Sequence, residues 1–94
     1  MKIGVLGSGD VGRVLGAGFL KHGYEVTLGT RDLKKKEVQD WVRETARARA
    51  GSFEEAARFG EIVVLAALGR AVKSIIELAG PANFAGRADH VYLR

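Results

Sequence analysis

Gly7-Ser8-Gly9-Asp10-Val11-Gly12 has the residue types and spacing of a loop that holds phosphate. The chemistry asked of it is simple: main-chain N–H groups face an anion with no side chain in the way. Glycine at 7 lets the chain turn sharply out of a strand. Glycine at 9 leaves the backbone open to a pyrophosphate. Glycine at 12 lets the following helix pack close to that strand. The start of the helix adds unpaired N–H groups and the positive end of its dipole. The pattern G-x-G-x-x-G has little force alone. Between a strand and a helix it is a dinucleotide fingerprint.

A second set of residues suits the other end of such a ligand. Gly29 is followed by Thr30, Arg31 and Asp32, then by Lys34, Lys35 and Lys36. Sites for NAD commonly place a carboxylate here, on the ribose hydroxyls. A hydroxyl, a guanidinium and lysines suit a ribose 2′-phosphate instead, and arginine offers it a bidentate fork. NADP(H) is therefore favoured over NAD, with Thr30, Arg31 and Lys35 as its readers. Asp32 lies about 20 residues past Gly12, where a ribose-binding acid can stand. Capping of the next helix is the favoured reading of Asp32. Ala66, Ala67 and Leu68 form a third set, at the end of the most apolar run. Small residues there leave room for ribose and pyrophosphate beside the glycine turn. No residue carries a catalytic assignment. His22 reads as a helix-end cation and His90 as surface or strand packing.

These sets need a scaffold of alternating strands and helices. Ile3, Val5 and Leu6 make a short strand before the glycine turn. Val11, Val14, Leu15, Gly18, Phe19 and His22 recur at helical spacing, and Lys21-His22-Gly23 ends that helix. Residues 24–28 form a second strand. Residues 34–45 form a helix with Val38, Trp41 and Val42 as its buried stripe. Residues 46–50 alternate like a short edge strand, with Arg47 and Arg49 toward solvent. Ser52 and Glu55 make a capping box for a helix ending at Gly60. Glu54 and Glu55 complement its dipole and are not an acid/base pair. Residues 61–68 read as a central parallel strand buried on both faces. Residues 70–79 form a helix with Val72, Ile75, Ile76 and Ala79 inward, Val72 toward an adenine. Residues 90–93 form a last strand. The order predicts an α/β fold: a Rossmann-like, doubly wound parallel sheet of about five strands with helices on both faces.

Composition agrees. The 94 residues suit one NAD(P)-binding domain over residues 1–94, and 47% hydrophobic content suits a folded one. With no cysteine, a disulfide framework and a cysteine-based metal site are excluded, and the two histidines stand far apart. No metal is expected. The net charge of +4 fits a phosphate-bearing cofactor. Aromatic residues do not interleave with the basic ones as in single-strand binders, so no nucleic acid is expected. No apolar run is long enough to span a membrane, and the chain opens into a strand without a signal-peptide pattern. A cytoplasmic location, with no membrane partner, is the expectation.

The segments KIGVLGSGDVG, GYEVTLGTRD and GSFEEAARFGEIVVLAAL together resemble the amino-terminal domain of coenzyme F420-dependent NADP oxidoreductases. The likeness covers about residues 1–86. Reductase domains of six-transmembrane metalloreductases are relatives of that family. The resemblance implies NADP(H) binding and hydride transfer to or from a deazaflavin (coenzyme F420) or a flavin. Its pyrophosphate turn maps onto Gly7, Ser8, Gly9, Asp10, Val11 and Gly12. Its 2′-phosphate site maps onto Thr30, Arg31 and Lys35, and its residues after the central strand onto Ala66, Ala67 and Leu68. Family members continue through a D-x-T-N type segment into a helical domain that completes the substrate site and dimer. Here the sequence departs from that pattern after Gly86, and the helical domain is expected to be absent. An apolar sheet face left bare in this way predicts a homo-oligomer, a dimer. Two other functions fit the same residues: a nucleotide-binding or regulatory module without turnover, and a protein-interaction module on a Rossmann core.

Overall fold

The computed structural model describes residues 1–66, 71–80 and 91–93. Strands and helices alternate: β1 (Lys2–Leu6), α1 (Asp10–Lys21), β2 (Glu25–Gly29), α2 (Lys36–Glu44), β3 (Arg49–Gly51), α3 (Phe53–Phe59), β4 (Ile62–Leu65), α4 (Ala71–Ala79) and β5 (Val91–Leu93). The sheet order is β3-β2-β1-β4-β5, and every pairing is parallel. β1 sits in the middle, with Val5 opposite Leu28 on one side and Val64 on the other. This is the doubly wound, Rossmann-like arrangement that the order of elements predicts.

Strand alternation divides the core in two. Ile3 and Val5 of β1, Val26 and Leu28 of β2 and Val64 of β4 join Leu20 and Trp41 on one face. Leu6, Val63 and Leu65 join Phe53, Ala56, Ala57, Ile75 and Ala79 on the other. α1 and α2 therefore cover the first face, and α3 and α4 the second. Strands of this kind, buried on both sides, are apolar along their buried length, which is why β4 and β1 after the exposed Lys2 are so. α3 lies tight on β1, because Gly4 lets the Ala56 carbonyl come where a side chain would stand.

Four expectations shift. The inward face of α1 is Gly12, Gly16 and Leu20, with Leu15 and Phe19 half-buried, while Val14 is 70% exposed and Val11 45%. Glycine carries no hydrophobic signal, yet it is what lets α1 approach: a Cβ on Gly16 would press on the Trp41 ring. α2 starts at Lys36, two residues later than expected, and Asp32 does not cap it. Asp32 Oδ1 instead accepts from the Lys34 N–H at 2.9 Å, closing a local turn two residues on. β3 is shorter and later than residues 46–50, because Arg47 takes a left-handed φ of 64°. Arg47 is exposed, as expected, and also reaches back to donate to the Leu20 carbonyl at 3.3 Å, near the end of α1. Arg49 pairs with Glu25 and lies over the Phe59 ring.

The capping box is as expected. Ser52 Oγ accepts from the Glu55 N–H at 3.1 Å, and the Glu55 carboxylate accepts from the Ser52 N–H at 2.8 Å. These bonds hold the Glu55 carboxyl below the usual carboxylate range, the bond from the Ser52 main chain being the larger cause. Among the described residues, no helix is long and apolar enough to cross a membrane and no cluster of three metal-ligating side chains occurs.

Candidate functional site

The carboxyl end of β1 and the start of α1 enclose the glycine turn. Gly7 has a φ of 126°, which side-chain-bearing residues rarely adopt. A Cβ there would also strike the Ala66 carbonyl. A Cβ on Gly12 would strike the Gly7 carbonyl, so the two outer glycines are packed into each other. Ala66 closes the turn from β4: its N–H donates to Leu6 O at 2.8 Å, and its methyl lies beside both glycines.

Gly9 is different. Its φ of −74° and ψ of −172° suit any residue, and a Cβ built there meets no protein atom within 4 Å. Neither backbone conformation nor packing within the described residues calls for glycine at this position. Gly9 is also the N-cap of α1, and no side chain caps the helix. The first turn of a helix has N–H groups without partners inside it, so an anion is the natural complement. The residues thus fit a diphosphate: an open backbone facing outward, set on two glycines that the fold needs for itself.

Asp10 opens α1 with its side chain in solvent, and Arg13 pairs with it while also approaching the Gly9 carbonyl. The pair offsets a negative charge that would otherwise stand beside a bound phosphate. Val11, beside Asp10, is exposed at the same end.

The tip of β2 is tied to this turn. Gly7 N–H donates to Gly29 O at 3.0 Å, carrying the β1–β2 ladder past its last paired residue. Ser8 Oγ and Thr30 Oγ1 share a hydrogen bond of 2.9 Å. Thr30 is only 3% exposed, and its hydroxyl also accepts from the Asp32 N–H. Its visible work is to join the two loops. Arg31, next along, is exposed and donates to Ser74 Oγ of α4 at 2.6 Å. Lys35 is the exposed N-cap residue of α2, with Lys34 and Lys36 beside it, also exposed. The structure therefore gathers Gly7, Ser8, Gly9, Asp10, Val11, Gly12, Thr30, Arg31 and Ala66 beyond the carboxyl ends of the three inner strands, with Lys35 on the loop that continues from β2. Ala67 and Leu68 lie outside the described residues, as does the side chain of Val72. Ser74 and Arg13 had no signal in the sequence: each is a single polar residue on a helix, given meaning only by its neighbour.

A family model for coenzyme F420-dependent NADP oxidoreductases matches residues 2–88. The chain belongs to this family. An F420-dependent NADP reductase, so named, from Arthrobacter sp. FB24 has a solved structure similar to this family member at a TM-score of 0.84 and 35% identity. That match covers 92% of this chain and 42% of the other. An imine reductase from Pseudomonas sp. shares the fold at a TM-score of 0.69, with 22% identity, over 97% of this chain and 39% of the other. The chain thus spans about two-fifths of each of these solved structures. No curated protein matches it. Family and fold together make the chain a Rossmann-type domain of this family.

Proposed function

We propose that the chain binds NADP(H) and serves hydride transfer between the nicotinamide and a deazaflavin, such as coenzyme F420, or a flavin. Gly9 carries the first part. It is a glycine that the described protein does not need, at the mouth of an uncapped helix, where a diphosphate would need it. Gly7 and Gly12 shape the turn, and Ser8, Asp10 and Val11 complete it. Arg31 and Lys35 supply positive charge for the 2′-phosphate at the β2 tip, with Thr30 holding that tip to the turn. Ala66 supplies a small side chain beside the turn, and Ala67 and Leu68, which follow it in sequence, are the other candidates for cofactor contact.

When bound, the nicotinamide cofactor supplies or takes up the hydride, so the chain need only position it. The name of the Arthrobacter relative supports the deazaflavin as the other party. The domain assignment of residues 1–94 and the cytoplasmic location expected from the sequence go with this function. Separate titrations of NADPH and NADH test it. Tight binding of NADPH with weak binding of NADH supports it, and binding of neither refutes it. Reduction of F420 or a flavin by NADPH, assayed with the same chain, distinguishes an enzyme from a binding module without turnover.

A further inference from the structure

We infer that Ser74, on the second strand-to-helix unit across the sheet, is a positioning residue for nucleotide specificity: it holds Arg31 at the 2′-phosphate position before ligand arrives. The premise is the 2′-phosphate role proposed above for Arg31. Ser74 itself was singled out by nothing in the sequence.

Arg31 follows β2 by two residues, and Ser74 is the fourth residue of α4. β2 and β4 lie on opposite sides of β1. Adjacent strands are about 4.8 Å apart, so the β2 and β4 lines are separated by about 10 Å. A single side chain, that of Arg31, crosses toward α4 and ends in a 2.6 Å hydrogen bond to Ser74 Oγ. The two residues are 43 positions apart in sequence. The bond is therefore a tertiary tie beyond the carboxyl end of β1, beside the turn that receives the diphosphate.

A guanidinium has five N–H donors in a rigid plane. Ser74 takes one of them through a terminal nitrogen, and the others remain for an anion. The planar fork matters here, because fixing one corner fixes the direction of the rest. A free, exposed arginine samples many rotamers and loses that freedom when a phosphate captures it. With Ser74 in place, much of that ordering precedes binding. Ser74 is half-buried on α4, next to buried Ile75, so its own position is set by the core. The hydroxyl is neutral and cannot neutralise Arg31, as a carboxylate at the same place would.

The test is a cycle of Ser74→Ala, Arg31→Ala and the double variant, titrated with NADPH, NADH and adenosine 2′,5′-bisphosphate. Ser74→Ala should weaken NADPH and the bisphosphate about three- to tenfold, the span of one ordinary hydrogen bond, and leave NADH unchanged. In the Arg31→Ala background it should do nothing further. Ser74→Thr should restore the preference. In the ligand-free protein, ¹⁵N relaxation at Arg31 Nε should show greater side-chain motion after Ser74→Ala. Equal weakening of NADPH and NADH, an effect that persists without Arg31, tighter NADPH binding, or no change at all would each overturn the inference. Equal affinity of the unaltered chain for NADPH and NADH would sink the 2′-phosphate premise and the inference with it. A preserved preference that ignores Ser74 sinks the inference alone.

Discussion

Gly9→Ala is the sharpest perturbation this site offers, because its effects on fold and ligand should separate. The added methyl meets no protein atom within 4 Å, and the φ and ψ at this position are ordinary for alanine. Stability should therefore change little. Alanine is a poorer N-cap than glycine, which sets a cost of about 0.5–1 kcal/mol. For a domain of this size that is a fall in Tm of about 2–8 °C. Binding should suffer much more. The methyl stands where a diphosphate would approach the main chain. Displacing the anion removes at least one charge-assisted hydrogen bond, about 1.5–3 kcal/mol, or roughly ten- to 150-fold in Kd. Gly12→Ala is the control, since its Cβ would strike the Gly7 carbonyl. That variant should lose stability by about 1–3 kcal/mol, as overpacked sites do, as well as binding. Calorimetric melting and NADPH titration on both variants decide the matter. A Gly9→Ala protein that binds NADPH as tightly as the unaltered chain would refute the assignment of the turn to a diphosphate.

Arg31→Ala should weaken NADPH by about 1.5 kcal/mol, the low end for a charge-assisted bond because Arg31 is exposed, while NADH holds; equal losses would make Arg31 a fold residue. The NADPH preference should shrink as salt rises from 0.05 to 0.5 M, as expected of exposed charges, and a salt-independent preference would contradict a role for Arg31 and Lys35. Ser52→Ala should destabilise α3 by about 1 kcal/mol, read from denaturant midpoints, and an unchanged midpoint would mean the capping box contributes nothing. The Glu55 carboxyl is held low by Ser52, so its contribution to stability is present above the ordinary carboxylate pKa and is lost as pH falls through its lowered value. Glu55→Gln should therefore differ in Tm from the unaltered chain at pH 7 and converge with it in the acid range; a constant gap at all pH values would argue against this. An apolar hollow of about 390 Å³, lined by Met1, Ile3, Leu15, Phe19, Tyr24, Ile62 and Val64, lies on the α1 side of β1 and β4. Self-association through that face is expected, and a strict monomer at high concentration in sedimentation would count against it.

Features set by neighbours in sequence were legible before the fold was known. The glycine turn and the Ser52–Glu55 capping box each depend on a few adjacent residues and stand where expected, and the apolar run shows as β4, though the strand is Ile62–Leu65 and leaves out Glu61 and Ala66 of the expected 61–68. The phase of α1 was not legible. Hydrophobic periodicity favoured Val11 and Val14, but the buried face is written in Gly12 and Gly16, whose value is the absence of a side chain. Asp32 misled for a related reason: its short side chain serves a turn as readily as a helix cap, and only the backbone decides which. Arg31 was marked by type and place, whereas its partner Ser74 could be found only by folding the chain. Long-range polar contacts of this kind leave no local pattern.

The tie between Gly7 N–H and Gly29 O is made of main chain alone. Whatever side chain stands at position 31, that bond still sets where the β2 tip lies relative to the turn. Cofactor preference is in this sense a replaceable label on a fixed mount. Exchanging the residues at 31 and 35 should retune which dinucleotide is chosen without rebuilding the seat of the diphosphate.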